Sequence, residues 1–352
     1  MTAPSRPSSP QNAKAGGAPA DGADARAGSP LTGLLGRLGT AQEVWIGLVL
    51  AVLLVGFSVL EPDSFATSFN LLNLVADAAI LLLLAIGMTY VIISAGIDLS
   101  VGGLLVFSGV TATKTMEATG GTSTGSLLLG AAVAVLTGLA WGVLNGALVA
   151  YGRIPPLIVT LGTLGMSLGG ALLITGGVDM RAPGRLNLGL GLDKFAGVPL
   201  IVWISVAVTL LLGVVLAQCR FGRHTYAIGS NIKAARNSGV QVNRHLVKVY
   251  GLAGLLAGLA GYLSLAKYGI TGVSAHSTDN LQAIAAVVIG GTSLFGGAGT
   301  ATGTVIGVFI PAVLQNGFQI LGVKPFWQQV VVGAVLIAAV YLDQWRRKAR
   351  DN

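Results

Sequence analysis

The side chains able to do chemistry are few in this sequence, and they stand apart from one another. Asp77 is the single acid inside a long apolar run, Leu71 to Ser94, and a charge at a helix centre costs about 2.5–3.5 kcal/mol on insertion scales. At ~1.5 Å per residue it lies about 10 Å below the start of that run. It is therefore expected to face the bundle interior or lie near the outer interface, either with a pathway or subunit-interface role or as a protonated or locally hydrated side chain. Asp98 and Ser100 fall in Gly96-Ile97-Asp98-Leu99-Ser100-Val101-Gly102, a break between two apolar runs. Either side chain can cap a helix starting near Val101, and Gly96 permits an unusual backbone. Thr292 and Ser293 follow the pair Gly290 and Gly291 in residues 289–299. Such a stretch can break a helix and expose backbone beside a pathway, or simply let helices pack closely.

None of these residues forms a catalytic set. His276 and Asp279, three apart, supply two metal ligands at most, so no metal site is expected. His224 and His245 lie in a basic segment with no evident partner. Nowhere do His, Glu and Ser or Cys converge at one depth, as membrane hydrolysis would require. The G-x-x-x-x-G-K-[ST] phosphate loop is also absent, so this chain is not expected to hydrolyse ATP. Cys219, alone, makes no intramolecular disulfide and reads as a small filler at a helix end.

The elements that must position these residues follow from composition. Of 352 residues, 53% are hydrophobic and 10% charged, against roughly 25% charged in a soluble domain. A mean hydropathy of +0.78 and recurring runs of roughly 20 apolar residues point to a bilayer, where the backbone must satisfy itself in helices. Soluble enzymes, disordered proteins and disulfide scaffolds are excluded. The 52 glycines sit inside apolar segments, where they allow close helix approach. A net charge of +8 records topology and contact with anionic lipid rather than nucleic-acid binding.

Residues 1–40, rich in Ala, Gly, Pro and Ser, read as a disordered cytoplasmic tail rather than a cleaved signal peptide. Residues 41–345 form the membrane domain and 346–352 a basic tail. About ten spans are expected, near Val44 to Leu60, Leu71 to Ser94, Val101 to Met116, Ser126 to Ala150, Leu157 to Thr175, Leu200 to Ala217, Leu246 to Ala266, Leu281 to Leu294, Thr300 to Leu321 and Phe326 to Leu342. The eighth is short and Gly-rich. With this count, only Lys114, Arg181, Arg185, Lys194, Lys267 and Lys324 of the 21 Lys and Arg fall on one side. The other side, holding both termini, is then cytoplasmic. The longest external loop, 176–198, is expected to be solvated, and Trp45, Trp327 and Trp345 to anchor span ends.

The longest cytoplasmic connection, residues 218–248, is strongly basic. Within it Ser230-Asn231 can cap a short helix over Ile232 to Asn237, and Gly239 can end it in a left-handed conformation. A capped basic helix outside the membrane suits either a docking lever or a loop that fixes topology. Two functions remain open on these residues: a conduit driven by a separate ATPase, or a stand-alone secondary transporter or channel for a small polar solute. The absence of several titratable groups at depth favours the first.

Three motifs sharpen the choice. Gly87-Met88-Thr89 with Gly96 to Gly102, then Gly222-Arg223-x-x-Tyr226-Ala227-x-Gly229-x-Asn231, then Ala283 to Leu294, resemble the permease subunits of ribose-type, or type II, sugar ABC importers. The likeness runs from about Val44 to Leu342. It implies an all-α polytopic protein in a prokaryotic plasma membrane, with a second permease copy, a cytoplasmic ATPase subunit that binds ATP and Mg, and an extracytoplasmic sugar-binding protein. By the same resemblance Gly222, Arg223, Tyr226, Gly229, Asn231, Lys233, Ala234, Ala235, Arg236, Ser238 and Gly239 would form the ATPase-coupling region. Asp77, Gly96, Asp98, Ser100, Gly290, Gly291, Thr292 and Ser293 are the pathway or gating candidates. The sequence departs from the family at Ile232-Lys233, where relatives commonly carry an acid before the Ala pair. It departs again at Asp279-Asn280-Leu281-Gln282, where Glu-Leu-x-Ala is usual. An ATPase surface offering an acid to Lys233 would compensate the first.

Overall fold

The computed structural model describes residues 41–324, apart from 122, 273–275 and 277, together with 327, 330, 331, 333, 334, 337 and 341. The expected tails, 1–40 and 346–352, and most of the tenth expected span lie outside the described residues. The chain within them is almost wholly helical. Its helices are α1 (Ala41–Leu60), α2 (Ser68–Ile93), α3 (Val101–Ala118), α4 (Thr124–Ala150), α5 (Pro156–Thr175), α6 (Leu200–Gln218), α7 (Arg220–Ser230), α8 (Ile232–Asn237), α9 (Val242–Tyr268), α10 (Asp279–Ile289) and α11 (Ala301–Ile320).

Seven of these, α1, α2, α4, α5, α6, α9 and α11, are long and apolar enough to cross a bilayer. Helix α3 carries Thr111, Thr113, Lys114, Thr115 and Glu117 in its second half, and α10 has only 11 residues. At ~1.5 Å per residue α10 covers roughly half a bilayer core. The helix ends fall where the sequence supplies stops: Thr67, Ser123 and Thr300 accept cap hydrogen bonds at the starts of α2, α4 and α11. Left-handed Gly176 and Gly269 close α5 and α9.

Helices α2 and α9 make the centre. From Ala78 to Ile93 every residue of α2 is buried, as expected of a helix that is apolar all round. Helix α9 joins α4 along a seam of small residues. Gly138 and Gly142 of α4 lie against Gly254, Gly258 and the Tyr250 carbonyl, so close that a Cβ at Gly138 would run into the Gly254 carbonyl. Helix α1 lies outside, with Val44, Trp45, Leu48, Val52, Val55 and Val59 exposed, and meets α11 through the edge-on pair Phe57 and Phe318.

The loop 176–198 is not merely solvated, as expected. Its strand β1 (Met180–Arg181) pairs antiparallel with Ile270–Thr271, Leu186 is buried, and the Asn187 side chain donates to the Ala266 and Lys267 carbonyls. Four residues there thus seal the end of α9.

Candidate functional site

The basic segment folds as two consecutive helices. Phe221, Thr225 and Ile228, spaced four and three apart, turn one face of α7 inward, while Arg220 and Arg223 stay exposed. Helix α8 follows at once, because Asn231 is extended and its Oδ1 accepts from the Ala234 N–H at 3.0 Å. Gly239, at φ +83°, ends it, and the Gly239 N–H donates to the Arg236 carbonyl at 3.1 Å. Ala235 is buried beside Ile228 and Val242. Ile232, Lys233, Ala234, Arg236 and Ser238 are left exposed. The α8 helix and its caps are as the sequence implied. Helix α7 was not anticipated, its period hidden by three basic or imidazole side chains.

Helix α7 is locked to the membrane part through backbone. A Cβ at Gly222 would strike the Leu216 carbonyl, and one at Gly229 the Ile93 carbonyl at the end of α2. The Tyr226 hydroxyl donates to the Gly299 carbonyl at 2.7 Å, and burial pushes its pKa above the usual value, so it stays a neutral donor. The Gly297 N–H donates to the Ile93 carbonyl at 2.8 Å. Gly291, Gly296 and Gly297 all take positive φ, so residues 290–299 form a tight loop over this joint, with Thr292 and Ser293 buried and Gly290 packed on Gly303. Buried Glu43 of α1 accepts from Thr300 and Thr302 at 2.7 and 2.8 Å, a tie the sequence did not reveal. His245, read as partnerless, shares a 2.8 Å hydrogen bond with Thr225. A cavity of about 1,210 Å³ opens here between Gly96, Arg153, Asn231, Arg236, Arg244 and Tyr250.

The break between α2 and α3 departs from expectation. Its left-handed residue is Ala95, at φ +62°, and Gly96 instead makes room for the Tyr250 hydroxyl, 2.5 Å from where a Cβ would stand. Asp98 and Ser100 are fully buried. Neither caps α3: Ser100 occupies the cap position without a side-chain cap bond, and Asp98 Oδ1 accepts from the N–H and hydroxyl of Ser100 at 2.8 and 2.5 Å. Asn145 of α4 donates to Ser100 Oγ at 2.8 Å, and Asn280 of α10 to the Leu99 carbonyl at 3.0 Å. Asp98 Oδ2 has no partner among the described residues. Four elements therefore meet on a polar knot, and the carboxylate folds it instead of capping a helix.

Asp77 stands at the opposite end, about 14 Å along α2 from Ser68, and its side chain is 47% exposed. It pairs with Lys267 and with the Tyr268 hydroxyl. This partner was out of reach of sequence reasoning, 190 residues away. The pair borders a cavity of about 420 Å³ between α2, α9, α10 and α11, whose polar wall includes Tyr268, His276, Asp279, Gln282, Gln315 and Gln319. His276 bonds Asp279 at 2.7 Å and Ser264 at 2.8 Å. That Ser–His–Asp chain is no nucleophile, because Ser264 is buried within α9. Among the described residues no three His, Cys, Asp or Glu gather as a metal site would need. None of the other pathway candidates lines this cavity. The signal for it was present in Gln315-Asn316-x-x-Gln319, polar residues inside an apolar run.

Residues 70–340 match the family described as "Branched-chain amino acid transport system / permease component". The chain is 41% identical over 309 residues to the ribose import permease protein of Bacillus subtilis (strain 168), covering 87% of this chain and 94% of that one. It is 38% identical over 300 residues to the ribose import permease protein of Escherichia coli (strain K12), covering 84% and 92%. The D-allose transport system permease protein of the same strain is 36% identical over 296 residues, covering 84% and 90%. No solved structure matches.

Proposed function

The chain belongs to the membrane permeases of ribose-type sugar ABC importers, and from that premise we propose that it passes a monosaccharide or related small polar solute into the cytoplasm. It works as a multi-pass subunit of a prokaryotic plasma membrane, with about ten spans and both termini cytoplasmic. The basic end is then the cytoplasmic end, in keeping with the excess of Lys and Arg there. The broader family is described by branched-chain amino acids, whereas relatives at 36–41% identity are named for sugars. Free side-chain amides around the opposite cavity suit hydroxyls better than an aliphatic side chain.

The observation that carries the mechanism is the exposed, capped α8 joined rigidly through α7 to the end of α2 and the 290–299 loop. A separate ATPase subunit, which binds the ATP and Mg, would seat α8 in a groove. ATP binding would draw two ATPases together, displace α8 in each of two permease copies and open the pathway outward to sugar from an extracytoplasmic binding protein. Hydrolysis would reset it. Such coupling requires that α8 make different contacts in the two states.

The test is a detergent pull-down with this chain as bait, followed by an ATPase assay on the copurified material. Recovery of a nucleotide-binding subunit, lost on altering Ile232 to Asn237, is the expected result. Purification alone, with solute movement in liposomes that needs no ATP, would replace this reading with a secondary transporter.

A further inference from the structure

The 420 Å³ cavity at the end opposite α8 has an apolar part, with Leu74, Ile80, Leu81 and Ile270, and polar groups of two kinds. The charged ones are spent on each other: Asp77 on Lys267 and Tyr268, Asp279 on His276. Among the neutral ones, Asn316 is spent on Asn70, but three are not. The side-chain amides of Gln282, Gln315 and Gln319 make no hydrogen bond to another described residue. Gln315 and Gln319, four apart on α11, share one face of that helix. All three line the cavity.

We propose that this cavity is a monosaccharide-binding station within the permease, in which Gln282, Gln315 and Gln319 hold the hydroxyls. The proposal rests on the sugar-import reading above and goes beyond it, since it gives the permease a share in choosing the solute. Three features fit that ligand and few others. An amide offers a donor and an acceptor side by side, the complement of two neighbouring hydroxyls. The charged side chains at the wall are already engaged, Asp77 with Lys267 and Asp279 with His276, which suits a neutral ligand better than an ion or an amino acid. The Tyr268 ring, fixed by its hydroxyl, 48% exposed and with Lys267 Nζ 5.3 Å from its centroid, offers apolar surface to the C–H side of a pyranose or furanose. The volume lies near the lower end of small-molecule sites, and suits one sugar ring. A station on a pathway must also release its cargo, so binding is expected to be weak, on the order of millimolar.

The experiment uses the assembled transporter in proteoliposomes, with its ATPase and binding protein, and radiolabelled D-ribose or D-allose as probe. A Gln315→Leu/Gln319→Leu variant is expected to lose about tenfold in uptake at saturating binding protein. Its melting temperature should match wild type. In parallel, saturation-transfer NMR on the purified wild-type permease should show magnetisation reaching D-ribose, an effect absent in the variant. Should the double variant fail to fold, Gln282→Leu takes its place. Wild-type uptake by a folded variant, or no transfer to sugar from the wild-type permease, overturns the station while leaving the import function standing. Failure of the wild-type assembly to move these or any other monosaccharide refutes the sugar-import reading and the station with it.

Discussion

The two ends of the helix bundle are built from different materials. At the basic end, α7, the end of α2 and the 290–299 loop meet backbone to backbone, with glycines at the contacts and one tyrosine hydroxyl across the joint. At the other end the helices stand apart around a cavity, and side chains fill the gap with an ion pair, a His–Asp pair and free amides. Interiors packed at backbone distance transmit displacement because they cannot deform. A wall of side chains can rearrange around a passing solute. One end is thus suited to receiving a mechanical input, the other to handling chemistry.

That contrast can be broken by substitution. The largest effect is expected at Gly229→Val, whose side chain would collide with the Ile93 carbonyl and Gly297. Overpacking of this kind costs about 3 kcal/mol or more, read as a large fall in melting temperature or loss of the folded protein. If Gly229→Val melts like wild type, the basal joint is not rigid and the comparison fails. Next comes Arg236→Glu, on the exposed side of α8. It should lower uptake and substrate-stimulated ATPase activity by about tenfold while membrane insertion and melting stay unchanged; normal uptake would remove α8 from coupling. Asn231→Ala deletes the α8 cap, worth about 1 kcal/mol, so stimulated ATPase activity should fall roughly fivefold, less than for Arg236→Glu. The smallest change is expected at Asp77→Asn. Its carboxylate is 47% exposed against a Lys267 side chain that is 13% exposed, so the pair contributes about 1 kcal/mol after solvent screening, and calorimetry should find stability nearly intact. A large loss there would mean that the cavity end, too, is held rigidly.

The legibility of the molecule follows the range of its interactions. Apolar runs broken by Gly, Pro or charge are local, and so α1 to α6, α9 and α11 begin and end within a few residues of their expected limits. The α8 caps are local as well, an Asn before the helix and a Gly after it. Asp77 illustrates the opposite case: its isolation in an apolar run was plain, but Lys267, 190 residues on, was visible only once α2 and α9 packed together. Asp98 looked like a cap because the sequence places it just before a helix. Its true role required Asn145 and Asn280 to arrive from two other helices. Helix α7 was missed for a different reason, since its three inward residues are diluted among basic ones that mimic a loop.

The glycine seam between α4 and α9 also has a temporal side. Roughly 90 residues separate the end of α4 from the start of α9, and at a synthesis rate of about 5–20 residues per second the first helix reaches the membrane on the order of 5–20 s before its mate. During that interval Gly138 and Gly142 present bare backbone to whatever neighbour is at hand, and α5, α6 and α7 must all be laid down without occupying the groove. The order of translation is therefore part of how this centre is assembled, and a chain permuted to deliver α9 ahead of α4 would meet a different set of competitors for the same surface.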